Sequence, residues 1–246
     1  MAQTRYYQSL KITDNLSGFF WQGRGNNCNS YLFTHVLEGE RPHIIIDPGH
    51  IYNEFREPCF KQLAAAMETD GFKPKDIGLI LNTHAHPDHC AANEILTQNT
   101  SKTKPPLITF AREEYKFLRA AGEKFASILG LALDKTEPFF LLGEGNLNLG
   151  KITLQVFLTP GHSPGSLCFY WPEKKILFTG DVVFCGSIGR TDLPGGSLSD
   201  LQASIYKLAE LEAEYLLPGH STEYGSYLHG QEKIKRNFQA IKMFFV

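Results

Sequence analysis

The chain has 246 residues, and its 24 Lys and Arg against 26 Asp and Glu leave a formal net charge of −2. That length can bury a sizeable core without disulfides, and the balanced charge offers no basic surplus for binding nucleic acid. Neither an apolar stretch after a basic start nor a run of eighteen apolar residues occurs, so we expect a cytoplasmic protein without a membrane partner. The five cysteines are odd in number and form no C-x-x-C pair, which predicts buried reduced thiols.

Hydrophobic periodicity predicts a β-rich start, an alternation of strands and helices, a second β-rich part and a helical end. The first half comprises strands at 10–12, 19–21, 30–37, 43–46, 77–81 and 107–110, and helices at 54–70, 91–96 and 111–133. After a turn at 143–150, the second half comprises strands at 152–159, 166–171, 175–179 and 215–217, and helices at 199–211 and 230–243. This order predicts an α/β (α+β) fold arranged as a four-layer αββα sandwich. Since no repeat or linker divides the chain, we expect a single domain over 1–246 with a core at about 26–223.

A histidine cluster follows the predicted strand at 77–81. Alternate residues of an extended segment point the same way, so His84 and His86 can converge on one metal ion. A proline after His86 forces that residue into an extended conformation and then fixes a turn, which lets Asp88 and His89 face a second point nearby. Asp88 also stands where a helix N-cap is wanted, which is its alternative role. Four ligands on one loop exceed what a tetrahedral ion needs, so the cluster favours a binuclear site.

Three further ligand candidates lie at the ends of other predicted strands. His162, Asp181 and His220 each follow an apolar run and a glycine, the pattern of a side chain presented at a sheet edge. Together with the cluster they supply two histidines and one carboxylate, enough to complete two metal sites. We interpret the remaining histidines as surface or strand residues: His35, His43, His50 and His229.

These motifs, in this order, resemble the metallo-β-lactamase fold superfamily, over about 26–223. The stretches 161–166 and 186–196 are similar to the glyoxalase-II-like hydrolases of that superfamily. The resemblance implies one metal held by His84, His86 and His162, and a second held by Asp88, His89 and His220, with Asp181 bridging both. It also implies that Asp47, in the sequence Ile-Asp-Pro-Gly, contacts the metal ligands and not the metal itself, and so steadies the metal site.

The chemistry implied by the resemblance is hydrolysis of a small-molecule thioester or ester. Two divalent ions would hold a water or hydroxide as the nucleophile and polarise the carbonyl, while Asp88 would be both ligand and catalytic residue. Zinc is the first candidate, with iron or manganese as alternatives. The sequence does not predict an oligomeric state.

Two departures from glyoxalase II put hydroxyacylglutathione in question as the substrate. The segment Gly189-Arg190-Thr191-Asp192 replaces a Lys and a Tyr that bind glutathione, and a single helix follows the last ligand. Arg190 is the predicted substrate contact, with a salt bridge to Asp192 as the alternative. The stretch 111–148 carries aromatic side chains that belong either to the core or to a lid.

Three other functions stay open at this point. A persulfide dioxygenase shares Gly-Arg-Thr-Asp and would hold a single iron through His84, His162 and Asp181, although the segment 217–221 is more similar to the hydrolases. A lactonase and a non-catalytic metal-binding module are the remaining alternatives. Every one of the seven ligands is present, which favours an enzyme.

Overall fold

The computed structural model describes residues 6–98, 105–128 and 137–245. They group into two compact units. Unit 1 contains the described residues of Met1–Thr109 and Ala121–Phe140, and unit 2 contains those of Phe110–Ala120 and Leu141–Val246.

Unit 1 is built on a seven-stranded sheet with the strand order β1-β2-β3-β4-β5-β6-β7. Its elements are β1 (Tyr7–Thr13), β2 (Leu16–Trp21), β3 (Ser30–Phe33), β4 (His43–Ile46), α1 (Cys59–Thr69), a 3₁₀ turn (Pro74–Asp76), β5 (Ile77–Leu81), α2 (Pro87–Cys90), α3 (Asn93–Gln98) and β6 (Leu107–Ala111). The boundaries between the two units in the sequence fall within β6, α4 (Arg112–Ile128) and β7 (Phe140–Leu142). Strands β1 to β4 pair antiparallel, whereas β4, β5 and β6 pair parallel. The sheet is therefore mixed.

Helix α1 begins five residues later than the helix predicted at 54–70. It buries Cys59, Phe60, Leu63 and Met67, and Gly71 follows its end at a φ of +90°. Residues 54–58 form a loop because the hydrogen bonds of the Glu57 carboxylate hold the backbone there in a non-helical conformation. Phe55, an apolar residue inside the predicted helix, lies in this loop and is exposed.

The carboxylate of Glu57 is buried and ties two loops of unit 1 together. It accepts hydrogen bonds from the backbone N–H of Arg24 and of Gly25, both at 3.1 Å, and from Nδ2 of Asn53 at 2.8 Å. Burial by itself raises the pKa of Glu57, but the hydrogen bonds from Asn53, Gly25 and Arg24 outweigh it and hold the pKa below its usual value. The ionised form is therefore the one that the fold stabilises.

We expect Glu57→Ala to lower the free energy of unfolding by about 2–3 kcal/mol at pH 7, because two buried donors and one partly buried donor lose their acceptor. A depressed folded-state pKa gives stability that is present above the unfolded pKa of about 4.3 and is lost as the pH falls through the folded value. The difference from the wild type should thus shrink between pH 5 and pH 3 in urea unfolding. Glu54→Ala removes an exposed carboxylate and should cost less than about 1 kcal/mol; equal losses in both variants would contradict this role of Glu57.

Unit 2 is built on a six-stranded sheet with the strand order β13-β12-β11-β10-β9-β8. Its elements are β8 (Gly145–Leu149), β9 (Ile152–Leu158), β10 (Leu167–Trp171), β11 (Ile176–Gly180), α5 (Leu198–Leu208), β12 (Tyr215–Pro218), β13 (Leu228–His229), α6 (Gln231–Lys242) and a 3₁₀ turn (Met243–Phe245). Helices α5 and α6 bury apolar side chains, among them Ile205 and Phe238, in one core with Leu177 and Leu216 of the sheet. Ser197 caps α5 by accepting a hydrogen bond from the N–H of Asp200, as is usual for a serine N-cap.

The secondary-structure prediction also differs from the structure in its shortest elements and at one sheet edge. The predicted turn at 143–150 contains strand β8, which pairs antiparallel with β9; its Asn residues are exposed at the sheet edge, so they read as turn residues in the sequence. Strands β7 and β13 were not predicted because they are only three and two residues long. The helix predicted at 91–96 corresponds to α3, which begins at Asn93, and the short helix α2 before it was not predicted. The last residues of the helix predicted at 111–133 lie outside the described part of the chain.

All five cysteines are buried and none of them forms a disulfide, as predicted. Burial raises the pKa of Cys168 to about 12 and that of Cys185 to about 11, which keeps both thiols protonated at neutral pH. In the described parts of the chain, no helix combines the length and the apolar character needed to cross a bilayer.

Candidate metal centre

In unit 1 the candidate site begins where two parallel strands end side by side. Ile46 of β4 lies opposite Leu81 of β5, and the N–H of Asp47 donates to the carbonyl of Leu81 at 3.0 Å. Residues that directly follow the two strands therefore meet at the same edge of the sheet. This is how Asp47 reaches Thr83, although 36 positions separate them.

The buried carboxylate of Asp47 organises this edge. Its Oδ1 accepts from the N–H of Thr83 at 2.8 Å, and its Oδ2 accepts from the Thr83 hydroxyl at 2.7 Å. Nδ1 of His89 lies 2.9 Å from the same Oδ2, and Nδ1 of His84 lies 3.0 Å from the Thr83 hydroxyl oxygen. An ionised carboxylate can only accept, and the hydroxyl has given its hydrogen to Asp47, so both Nδ1 atoms carry the proton. Both rings are left with an Nε2 lone pair, the form that binds a metal.

The four ligand candidates of unit 1 are buried and close to one another. The ring centroids of His84 and His86 are 4.6 Å apart, and those of His84 and His89 are 4.1 Å apart. Potential ligand atoms of Asp88 and His89 lie within 4.8 Å of one another, as do those of His84 and each of the other two histidines. The sequence thus predicted a cluster that the fold does assemble within this unit.

The local backbone confirms the effect of the proline and corrects the role of Asp88. His86 is extended, with φ −69° and ψ 144°, and α2 begins at Pro87. The N-cap position is therefore His86, and the N-cap alternative for Asp88 is wrong because Asp88 is already the second helical residue. Its Oδ2 accepts a hydrogen bond from Nδ2 of Asn26 at 2.7 Å.

In unit 2 the three ligand candidates also lie at strand ends. Strands β11 and β12 are parallel, and the N–H of Gly219 donates to the carbonyl of Gly180 at 2.7 Å, so the residues that follow them are adjacent. Oδ2 of Asp181 lies 3.3 Å from Nε2 of His220 and 3.5 Å from Nε2 of His162. One carboxylate oxygen therefore lies near two imidazole nitrogens.

The loop of His162 is held on both sides. Nδ1 of His162 lies 2.8 Å from the carbonyl oxygen of Arg190, which can only accept, so Nδ1 carries the proton and Nε2 the lone pair. Gly161 has a φ of +137°, and a Cβ there would lie 2.3 Å from the backbone of Leu201. Glycine is required at this position because both the conformation and the space exclude a side chain.

Two supporting residues were not identified from the sequence. The hydroxyl of Thr83 links the carboxylate of Asp47 to the ring of His84 by hydrogen bonds. Its position directly before the histidine cluster could have indicated this role. The buried carboxylate of Glu114 accepts from the Ser163 hydroxyl and from the N–H of Gly165, both at 2.8 Å. It comes from the start of α4, about fifty residues before the loop, and no local pattern indicates that contact.

The donors in both units fit divalent metal ions. Buried imidazole nitrogens and carboxylate oxygens are the ligands that zinc and iron accept in proteins, and three of the rings have their Nε2 lone pair fixed by a neighbour of Nδ1. The structure brings together His84, His86, Asp88 and His89 in unit 1, and His162, Asp181 and His220 in unit 2. That the two sets form one centre stays a prediction. Of the remaining histidines, His43 is buried in β4, and none belongs to either set.

Arg190 forms the salt bridge that the sequence left open as an alternative. Its Nε and Nη2 donate to the two carboxylate oxygens of Asp192, each at 2.7 Å, and both side chains are exposed. The hydrogen bonds from Arg190 lower the pKa of Asp192 to about 2. The pair is therefore ionised at all ordinary pH values, and substrate contact by Arg190 stays a prediction.

We expect Arg190→Ala to raise KM about tenfold with kcat within about twofold, as for a charged contact that binds substrate and transition state alike. Asp192→Ala is the matched control, because it breaks the same salt bridge and leaves the guanidinium in place. Steady-state kinetics on both variants separates the two roles. If KM changes equally in both, Arg190 acts through the salt bridge and not through the substrate.

Two mixed sheets with helices make this an α/β protein of the metallo-β-lactamase fold, which solved metallo-β-lactamases share. Residues 23–220 match the family model of the metallo-β-lactamase superfamily. The chain belongs to that superfamily of metal-binding hydrolases, and its His and Asp clusters imply divalent metal ions.

Named relatives of the chain include a hydrolase and a thioesterase. It is 37% identical to the hydroxyacylglutathione hydrolase GloC of Haemophilus influenzae over 66% of this chain and 76% of the relative. It is 29% identical to the acyl-coenzyme A thioesterase MBLAC2 of Gallus gallus over 85% of this chain and 80% of the relative. Among solved structures, TTHA1623 in a di-iron-bound form is 33% identical, with a TM-score of 0.60 over 82% of this chain and 89% of that chain.

Proposed function

We propose that the chain is a binuclear metallohydrolase that cleaves the carbonyl of a small-molecule thioester or ester. In this proposal two divalent ions are held jointly by the unit 1 and unit 2 ligands: His84, His86, Asp88, His89, His162, Asp181 and His220. The observation that carries it is the fixed orientation of the rings. Thr83, Asp47 and the Arg190 carbonyl each engage an Nδ1 atom, so the Nε2 atoms of His84, His89 and His162 are available as ligands.

When bound, the metal ions would supply Lewis acidity, which lowers the pKa of water to about 7 and stabilises the oxyanion of the attacked carbonyl. Zinc is the first candidate because imidazole and carboxylate are its usual ligands in hydrolases. The di-iron form of TTHA1623 supports iron as the second candidate, and manganese is the third.

Groups of the protein itself orient the metal ligands and the attacking water. Asp47 and Thr83 keep two imidazoles in one tautomer and one orientation, and the Arg190 carbonyl does the same for His162. Asp88 is the proposed catalytic carboxylate, since an ionised oxygen there can accept a hydrogen bond from the attacking water and direct its lone pair at the carbonyl.

The substrate class is supported by the relatives. GloC and MBLAC2 are named for two different thioesters, and what these share is the thioester carbonyl, not the acyl or thiol part. A single domain over 1–246 and a cytoplasmic location stay predictions.

A metal analysis combined with a substrate panel tests this function. We expect close to two transition-metal ions per chain and hydrolysis within a panel of acylglutathiones, acyl-coenzyme A esters, lactones and aryl esters. Dialysis against a chelator should abolish the activity, and zinc should restore it. Oxygen uptake with glutathione persulfide is measured on the same preparation; one iron per chain with oxygen consumption would favour the dioxygenase, and a metal-free protein would contradict both enzymes.

A further inference from the structure

We propose that Asn26 is a positioning residue for the carboxylate of Asp88, an inference that rests on the proposed function. Nδ2 of Asn26 donates to Oδ2 of Asp88 at 2.7 Å. That same oxygen lies 3.8 Å from Nε2 of His89. The amide thus holds the carboxylate oxygen that faces the ligand cluster of unit 1.

The backbone of Asn26 is itself fixed by a neighbouring loop. Its N–H donates to both carboxylate oxygens of Glu54, at 2.9 and 3.1 Å. The two preceding residues, Arg24 and Gly25, donate their N–H groups to Glu57. Three successive backbone donors are therefore held by two carboxylates, so the amide is oriented before any substrate binds.

The sequence allows this close approach at one position. A Cβ on Gly25 would lie 2.3 Å from Nδ2 of Asn53 and 2.8 Å from the ring of Phe55. Glycine there lets the loop of Asn26 lie against the loop that contains Glu54 and Glu57. Arg24 adds a further contact between these loops, with its guanidinium carbon 5.6 Å from the centre of the Phe55 ring.

The chemistry of the contact suits a positioning role better than a folding role. Asn26 is exposed, and among the described residues its side chain makes no hydrogen bond besides the one to Asp88. A hydrogen bond to an ionised carboxylate is short and roughly twice as strong as a neutral one. The amide has no proton to lose at ordinary pH, so it donates to Asp88 without changing the charge of the site. An exposed side chain with this single partner adds little to the core but restricts the rotation of the Asp88 carboxylate.

The test compares Asn26→Ala, Asn26→Asp and Asn26→Gln with Asn146→Ala and Asn146→Asp. Asn146 is the matched control because it is also an exposed asparagine and lies in β8 of unit 2. For Asn26→Ala we expect kcat and cobalt affinity to fall 10- to 100-fold with KM within about twofold, the size found when a partner of a metal ligand is removed. Asn26→Asp should lose at least as much because it places like charges side by side. Asn26→Gln keeps an amide with room at the surface and should recover activity to within about fivefold of the wild type.

A second readout does not depend on the activity of the loaded enzyme. In the metal-free protein, the side-chain amide protons of Asn26 should exchange more slowly than those of Asn146 in ¹⁵N-resolved spectra. The cobalt absorption bands should shift in Asn26→Ala and stay unchanged in the Asn146 variants.

If Asn26→Ala leaves kcat and the cobalt bands unchanged, and the Asn26 amide protons exchange as fast as those of Asn146, the role of Asn26 is overturned while the hydrolase proposal stays intact. A wild-type protein that binds cobalt but hydrolyses nothing would overturn the hydrolase proposal, and the bands and exchange rates would still decide whether Asn26 holds Asp88.

Discussion

The His84→Ala protein should lose at least about a thousandfold in kcat/KM and fail to retain a full complement of metal. The ring of His84 is central to the unit 1 ligands, since it lies next to both His86 and His89. Lewis-acid and nucleophile activation by metals are worth several kcal/mol of transition-state stabilisation, and each 1.36 kcal/mol corresponds to about tenfold in rate. Losing part of this transition-state stabilisation accounts for the expected thousandfold loss in kcat/KM.

Thermal unfolding with and without metal separates this loss from a folding defect. A ligand that binds only the native state stabilises it by about 2.7 kcal/mol at a hundred times its Kd. We expect zinc to raise the Tm of the wild type and of His229→Ala, an exposed histidine outside the ligand sets, but to raise that of His84→Ala much less. In chelator the wild type and the His84→Ala protein should unfold at similar temperatures. Full activity in His84→Ala would contradict the assignment of this residue as a ligand.

The sequence predicted the ligand candidates because each belongs to a local pattern. Asp181 and His220 follow a short apolar run and a glycine, and the run predicts a buried strand whose end presents the next side chains. Parallel pairing of β11 with β12 then places the two residues together. The fold class could be predicted for the same reason, since strands and helices alternate with clear periods.

The contacts that orient the ligands could not be predicted in this way. Asn26 reaches Asp88 across 62 positions, and Glu114 reaches Gly165 across 51. Each contact depends on how two loops pack, and neither residue type has a periodic or motif signal. The start of α1 was mispredicted for a related reason, because the hydrogen bonds that hold Glu57 in a loop come from residues about thirty positions earlier.

Replacement of Asp47 should be the most informative change outside the ligands, and we expect Asp47→Asn to weaken metal affinity 10- to 100-fold. Asparagine has the same shape but carries one donor group in place of an acceptor oxygen. If its NH₂ occupies the position of Oδ2, it faces the N–H of His89; if it occupies that of Oδ1, it faces the backbone N–H of Thr83. Either orientation places a donor against a donor, and the first can be relieved by moving the His89 proton to Nε2, which removes that ligand atom.

A double-mutant cycle with Thr83→Val tests whether the two imidazoles depend on the same carboxylate. Valine removes the hydroxyl that links Asp47 to His84 but leaves the contact with His89, so Thr83→Val alone should weaken affinity less than Asp47→Asn. Because Thr83 acts through Asp47, the double variant should lose less than the sum of the two single losses, with a coupling of about 0.5–3 kcal/mol. Zinc competition titrations measure the affinities, with Asp70→Asn as a control, because Asp70 is exposed and its carboxylate accepts a hydrogen bond from the Ser9 hydroxyl at 3.3 Å. Strict additivity, or an affinity of Asp47→Asn equal to that of the control, would show that the rings are oriented by something other than this carboxylate.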